Sequence, residues 1–493
     1  MPEEAINLQQ VSRSLLLVNI LVAAVYFSWW LAPGKIGNPY LFGLLFAGEV
    51  YHLLMALSFW YTVWPQKKRH PDFVTASSFY PTVDVFIPVA GEPLEIVAQT
   101  ALAAKNLDYP HHQVFILNDG YVAKKENWQE IETMAQEMHI RCFTRKIAHG
   151  AKAGNINDAL QQTDGELVAI FDADMAPKKS FLKRTVPYFK NPQVGFVQTP
   201  QFYRNAADSN VAGGAWEQQE FFFGPVMEGK DSVNAAFICG TNVTIRRKAL
   251  LEVGGMQEEN IAEDFLTSLL IHAKGWQSYY LTDVLSAGLG PEDLLSYYKQ
   301  QIRWAHGNLG VLIYNNPLFK KGLLLPQKIQ YLASSLFYLN GLIVLADMIM
   351  PLAFLFTGIQ PVVSSTTNFA VFFVPFMFLN LYTLSVASRG SLTFRAISFT
   401  HSSWFLQLSA LKSALFREAK AFTVTPKTAQ RGNFLFLAYP HLFYIFLSAA
   451  AAAVGIMREG IDPSVATNVA WEIFNIITFV PFINAAMKGE NRV

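Results

Sequence analysis

The sequence predicts an α/β domain set between two groups of membrane-spanning helices, about six spans in all. Apolar runs long enough to cross a bilayer gather at both ends of the 493-residue chain. Between them, short β-branched runs alternate with amphipathic helical stretches, the pattern of a mainly parallel sheet covered on both faces. Polar residues fall just after those runs, where such sheets collect ligands.

The spans come first. A bilayer crossing takes about 20 apolar residues. Ser14–Leu31 and Pro39–Trp64 meet that length, and Tyr331–Gly358, Phe369–Ser388, Phe434–Met457 and Thr467–Met487 follow the polar block. The first run ends in Phe27, Trp29 and Trp30 and is followed at once by another, so it reads as a span rather than a cleaved signal peptide. Lys67, Lys68 and Arg69 follow the second span, Lys412, Arg417, Lys420 and Lys427 the fourth, and Lys488 and Arg492 the sixth; the loop 359–368 has no charge. The positive-inside bias then puts both termini and the large block in the cytoplasm of a multi-pass inner (plasma) membrane protein. Glu49 and Asp347 lie within spans, either lining a polar path or paired locally, as Glu49 could be with His52.

Apolar residues make up 52% of the chain, with 40 Phe and a mean hydropathy of +0.23. A net charge of +1 gives no electrostatic footprint for nucleic acid. Cys142 and Cys239, far apart, argue against a disulfide framework.

Within the block, Val83–Val89, Val114–Leu117, Leu167–Phe171 and Val194–Gln198 read as strands, and Pro93–Lys105 and Lys124–Glu137 as helices. Glu92 follows the first strand, Asn118-Asp119-Gly120 the second, and Asp172-Ala173-Asp174 the third. Carboxylates two apart in an extended stretch share a face, and such a pair suits a hard cation that bridges to phosphates. Lys152-Ala153-Gly154-Asn155 opens a helix whose first amides, with Lys152, could meet an anion. Phe237–Asn242 is a polar kink, with Cys239 read as packing. Ala262-Glu263-Asp264 starts another helix, its acids either favouring the helix N-terminus or supplying a general base. Gln300, Arg303 and Trp304 close the block. Arg offers a forked donor for a diphosphate, and Trp a flat face for a sugar ring.

In chain order, Asp84–Pro88 with Glu92-Pro93, Asn118–Gly120, Lys152–Asn155, Asp172 and Asp174, Gln198–Pro200, Cys239–Asn242, Glu263-Asp264, Gly275-Trp276 and the QxxRW of Gln300–Trp304 resemble the processive family 2 glycosyltransferases, and most closely the bacterial cellulose synthase catalytic subunit group. Phe422–Lys427 fits FxVTxK, the gating-loop motif of cellulose synthases. The resemblance runs from about Leu15 to the C-terminus.

It implies a GT-A fold that binds a UDP-sugar, and three segments: two N-terminal spans (1–65), the transferase domain with interfacial helices (66–325) and four C-terminal spans (326–493), which include an amphipathic helix over Thr400–Phe416 and a gating loop (399–430). Glu92 and Asp119 would hold the uridine, and Asp172 and Asp174 a Mg²⁺ or Mn²⁺ ion on the diphosphate. Lys152, Gln300 and Arg303 would support the phosphates. Cys239, Gly240 and Thr241 would line the substrate site. Asp264, with Glu263 beside it, would be the catalytic base. Trp304 would stack the end of the growing polysaccharide chain. Phe422, Thr425 and Lys427 would close over bound nucleotide. The implied activity is processive and inverting: UDP-glucose into a β-glucan, exported across the lipid bilayer through the chain's own helices, with room for periplasmic or regulatory subunits.

Three departures stand out. Asn118 replaces the first Asp of the usual DDG triplet. Ala262 replaces the Thr of the TED triplet; AED is closer to chitin synthases, which leaves β-1,3 or mixed-linkage glucan, chitin-like chains and mannan open as products. The chain ends at Val493, without the length for a C-terminal PilZ domain. A non-catalytic transport or scaffold subunit with a decayed transferase domain is the rival from another class, and a non-processive enzyme adding one sugar to a lipid is a third.

Overall fold

The structure, a computed structural model, describes residues 11–65, 69–70, 79–418 and 432–487. Two long helices come first, α1 (Arg13–Trp30) and α2 (Pro39–Thr62). The Asn38 side chain accepts from the amides of Tyr40 and Leu41, with Pro39 at the first helical position, so α2 starts where its orphan donors are met.

The chain divides into two compact units, and the sheet lies in the one within Gln66–Ser335. It begins β1 (Val83–Val89), α3 (Leu94–Lys105), β2 (His112–Asn118), α4 (Trp128–Glu137), β3 (Arg141–Thr144), α5 (Ala151–Leu160) and β4 (Leu167–Ile170). It continues through β5 (Ala176–Pro177), α6 (Phe181–Thr185), β6 (Val194–Gln198), α7 (Asn210–Phe221), α8 (Met227–Ser232), β7 (Val243–Arg246) and α9 (Arg247–Leu251). Last come α10 (Glu263–Ala273), β8 (Gln277–Tyr280), β9 (Ser286–Ala287), α11 (Leu294–Tyr314) and α12 (Leu325–Leu336).

Seven strands form one sheet in the order β3-β2-β1-β4-β7-β6-β8, and β5 pairs with β9 apart from it. Alternation along β1 decides the layers. Val83, Val85, Ile87 and Val89 pack with Val97 and Ala101 of α3 and Ile131 of α4. Phe86 points the other way, to Ala153 and Ile156 of α5 and Leu250 of α9. Both faces are therefore covered, as the near-continuous apolar runs require. Asp84, in the middle of that pattern, is buried at the far end of the strand, where it accepts from Arg247 at 2.5 Å and from the Gly165 amide at 2.8 Å.

Three details differ from the sequence reading. The sheet is mixed, because β7 runs antiparallel to both β4 and β6. β3, β7 and β8 each mix polar with apolar residues over four positions, so no apolar run marks them as LVAI marks β4. The helix expected from Lys124 starts at Trp128, since Lys124 takes a left-handed φ of 53° in the turn that folds Lys125 N back onto Gly120 O at 2.9 Å.

The second unit lies within Leu8–Pro65, Leu336–Lys412 and Arg431–Val493. It holds α1 and α2 with α13 (Asn340–Thr357), α14 (Thr366–Ala387), α15 (Phe394–Ser402), α17 (Tyr439–Glu459) and α18 (Pro463–Met487); α16 (Trp404–Leu415) runs from it past the division. The amphipathic helix expected over Thr400–Phe416 is thus two helices that meet at Ser403. Among the described residues, six helical stretches are long and apolar enough to cross a membrane, the third being Leu325–Thr357. α13 packs on α2, α17 and α18, α1 on α14, and α15 on α18. Polar ties between helices recur: Asn19 donates to Thr383 at 2.9 Å, and Ser398 to the Thr478 carbonyl at 2.5 Å. His52 turns toward Asp347, 3.8 Å away, rather than back to Glu49. Glu472 of α18, which sequence reading did not single out, is also buried and accepts from Ser448.

Candidate active site

The carboxyl ends of β1, β2 and β4, with the starts of α5 and α10 and the middle of α11, carry the residues that the sequence singled out. At the β1–β2 end, Glu92 is buried and its carboxylate accepts from the Ala90 amide at 2.7 Å. Asp119 is gripped by both prongs of Arg145, whose guanidinium also donates to the Ala151 carbonyl at 2.7 Å. Burial nonetheless outweighs Arg145 and raises the Asp119 carboxyl above its usual range. Asn118, fully buried, accepts from Gly120 N at 2.9 Å and donates to the Trp128 carbonyl at 2.8 Å. That pair of bonds needs an acceptor and a donor on one side chain, which an amide has and a carboxylate lacks.

The centre lies between β4 and α10. Lys152, from the first turn of α5, ion-pairs Asp172 and donates to the Gly240 carbonyl at 2.8 Å. Gly240 has φ +78°, and a Cβ there would lie 3.2 Å from Asp264 Oδ2, so glycine suits both the turn and the gap. Thr241 is fully buried; its hydroxyl accepts from the Asp172 amide at 2.8 Å and sets the approach of the two Asp residues. The Cys239 amide donates to Gln198 Oε1 at 3.0 Å, and desolvation of the half-buried thiol, with Asp264 nearby, raises its pKa well above usual. Asp174 is buried and accepts from the Leu289 amide at 3.1 Å.

α11 brings the third group. Gln300, Arg303 and Trp304 stand at i, i+3 and i+4, on one face. Gln300 is buried, and Arg303 and Trp304 are half-buried. Arg303 lies in the field of Glu263, Asp172 and Asp264. The helix is tied to the α10 start by Asn260, which accepts from Ala262 N at 2.8 Å and donates to the Gly307 carbonyl at 3.3 Å. Gly307 permits the close approach: a Cβ there would meet the Ala262 Cβ at 2.5 Å. Asn260, Gly307, Arg145 and Tyr203, which faces the Gln300 side chain, were not legible as site residues. Their signal, a polar residue in a loop or, for Gly307, a small residue within a helix, is too common to stand out.

Charge in this group is unbalanced. Four carboxylates (Asp172, Asp174, Glu263 and Asp264) gather with two cations, Lys152 and Arg303. Burial, above all, raises the Glu263 and Asp264 carboxyls; Asp264 adds to the rise at Glu263, and Asp172 to that at Asp264. Burial would strip Lys152 of its proton, but Asp172, Glu263 and Asp264 hold it charged. A surplus of buried acid is what a divalent cation neutralises. Among the described residues no three His, Cys, Asp or Glu side chains converge as a full protein cage would. Asp172 and Asp174 supply oxygen donors only, which fits Mg²⁺ or Mn²⁺ held in part by water and phosphate. Phe422, Thr425 and Lys427 lie outside the described residues.

Comparison with known proteins bears on the family and the fold. Residues 81–307 match the family described as Glycosyltransferase like family 2, and residues 252–404 match Cellulose synthase. The UDP-forming cellulose synthase catalytic subunit of Pseudomonas fluorescens (strain SBW25) is 31% identical over 94% of this chain and 65% of its own length. Cellulose synthase 2 of Novacetimonas hansenii is 33% identical over 98% of this chain and 31% of its own. The chain therefore spans less than two-thirds of these relatives. A mannosyltransferase from Pyrobaculum calidifontis, solved with GDP-Man and Mn²⁺, superposes with a TM-score of 0.55 at 17% identity, covering 77% of this chain and all of that one. The fold of the sheet-bearing unit is accordingly the expected GT-A fold. The chain thus matches glycosyltransferase family 2 over residues 81–307 and is similar, over most of its own length, to bacterial cellulose synthase catalytic subunits.

Proposed function

We propose that the protein is a processive, inverting glycosyltransferase that polymerises a UDP-sugar, UDP-glucose first among them, into a β-linked glucan. The reading rests chiefly on one observation: Lys152, Asp172, Glu263, Asp264 and Arg303 share one electrostatic field, at the end of β4, the starts of α5 and α10 and the middle of α11.

In this reading Glu92 and Asp119 take the uridine, and Lys152, Gln300 and Arg303 the diphosphate. Asp172 and Asp174 would hold a Mg²⁺ or Mn²⁺ ion, which when bound neutralises charge on the departing UDP. Asp264 removes the proton from the acceptor hydroxyl as that oxygen attacks the anomeric carbon, and the bond to UDP breaks on the opposite face. Its raised pKa brings the base nearer neutral pH, where proton transfer is efficient. Trp304 holds the acceptor sugar flat, which orients the attacking oxygen. Phe422, Thr425 and Lys427 close over the nucleotide. The transferase domain and both termini face the cytoplasm of the inner membrane, and the helices on either side carry the polymer across it.

Purified chain in detergent with UDP-glucose and Mg²⁺ should release UDP and form a product that a β-1,4-glucanase digests. Asp264→Asn should do neither. Release from another UDP-sugar but not UDP-glucose would move the product to another β-polysaccharide, and no release from any would leave the scaffold reading.

A further inference from the structure

Tyr203 sits between the aspartate pair and α11. Its ring is buried, packed on Gly290 and edge-on to Trp216 with centroids 6.3 Å apart. Its backbone bridges to Gly288, the Arg204 amide donates to Gly288 O at 3.0 Å, and Asn205 exchanges two bonds with Gly290, at 2.8 and 3.0 Å. The same 288–290 segment gives Asp174 its Leu289 amide. The phenol is thus fixed relative to both parts of the site.

Its hydroxyl faces the Gln300 side chain, with Asp174, Arg303 and Asp172 around it. Tyr203 Oη and Gln300 Oε1 are both buried, and neither closes a hydrogen bond. Two buried orphans are costly, and turning the amide so that its oxygen meets the phenol satisfies both. A side-chain amide has two opposite ends, one accepting and one donating. A phenol can give its proton only to the oxygen, so the bond selects the flip.

Building on the proposed donor chemistry, we propose that Tyr203 is a positioning residue: it donates to Gln300 Oε1 and so turns the Gln300 NH₂ toward the leaving diphosphate. A Gln300 free to flip would present an oxygen to the phosphates for part of the time and weaken the grip.

Calorimetry on the full chain in detergent with Mn²⁺, using UDP and uridine as probes, tests this. Tyr203→Phe should bind UDP about five- to tenfold more weakly, the worth of one hydrogen bond, and bind uridine as wild type does. Gln300→Leu should lose at least as much, and the double variant no more than Gln300→Leu alone, because the phenol acts through the amide. Unchanged UDP affinity in Tyr203→Phe, a matching loss for uridine, or additive losses in the double variant each overturn the proposal. Failure of the wild-type chain to bind UDP overturns the proposed function as well, which sets the two failures apart. Should Tyr203→Phe not fold, Gln300→Glu takes its place: it keeps an acceptor for the phenol but aims an oxygen at the diphosphate. It should bind UDP more weakly than Gln300→Leu, and equal affinity overturns the proposal.

Discussion

Lys152 joins two strands of the site at once, pairing with the Asp172 carboxylate while donating to the Gly240 carbonyl at 2.8 Å. The ammonium therefore neutralises one of the two carboxylates proposed for a divalent ion, and it is also the group proposed to meet phosphate. In the proposed function these roles would alternate, Lys152 giving up Asp172 for a phosphate oxygen when cation and nucleotide bind together.

Lys152→Met separates the two roles. Without the ammonium, Asp172 is left for a cation, so Mn²⁺ alone should bind more tightly than to wild type. UDP in the presence of Mn²⁺ should bind about tenfold or more weakly, since a charge-assisted bond is lost. Mn²⁺ titration followed by paramagnetic resonance, with UDP calorimetry beside it, reads both. Weakening of both ligands would remove the exchange. Chelation with EDTA should stop UDP release in wild type, and Asp174→Asn should leave release low even with excess Mn²⁺.

Burial pushes the Asp264 carboxyl up to about 6. A base works only unprotonated, so turnover should be flat above that value and fall about tenfold per pH unit below it. Asp264→Asn should lower turnover at least about a hundredfold at pH 7 and above, and the gap should close as pH falls below about 6. Stability runs the other way. A raised carboxyl pKa means that the fold prefers the protonated form, so the stabilising contribution is present at low pH and lost as pH rises through about 6. Asp264→Asn should therefore melt above wild type at pH 8 and close to it only below about pH 4, where both folded and unfolded states hold the proton. A variant that melts lower at pH 8 would contradict the burial argument.

Asn118 offers a sharper test of a departure from the family pattern. Asn118→Asp would set a carboxylate oxygen against the Trp128 carbonyl, now 2.8 Å from the amide nitrogen, while keeping the bond from Gly120 N. The cost is about 1–3 kcal/mol for the buried mismatch, seen as a drop of several degrees in Tm. UDP affinity should not improve, because Asn118 faces the fold rather than the cleft. A gain in affinity would show that the usual aspartate acts on nucleotide at this position too.

The sequence exposed those elements whose period had room to repeat. The seven residues of β1 and the five of β6 were read to the residue, and all six apolar stretches were located. β3, β7 and β8 mix polar with apolar residues over four positions, so no apolar run marks them, and with them went β7, the strand antiparallel to both of its neighbours. The residues of the centre were legible because a carboxylate after a strand, or a lysine opening a helix, has few other reasons to be there. Arg145 and Asn260 were not legible, because what marks them is a partner distant in sequence: Asp119 for one, the Gly307 carbonyl for the other. Ser403 hid for a different reason, since a serine within an apolar run reads as tolerated until the two helices on either side are seen to part.

In the proposed function Trp304 would bear on processivity rather than on chemistry. It lies one residue beyond Arg303 on the same face of α11, half-buried, and its carbonyl accepts from Asn308 at 3.0 Å in the helix's next turn. A ring held there can retain the end of a chain between additions without touching the donor. An aromatic face contributes about 0.5–1.5 kcal/mol beyond the area that it covers, so its loss should shorten the stay of the chain end several-fold. Trp304→Ala should therefore keep UDP binding and much of the UDP released by transfer to water, while the polymer falls to short products. Trp304→Phe should restore part of the length, because a smaller face still stacks. Product sizing beside UDP release, in the same reaction, gives the ratio that matters. If release and length fell together in Trp304→Ala, and Phe restored neither, the indole would belong to the fold of α11 and not to the acceptor.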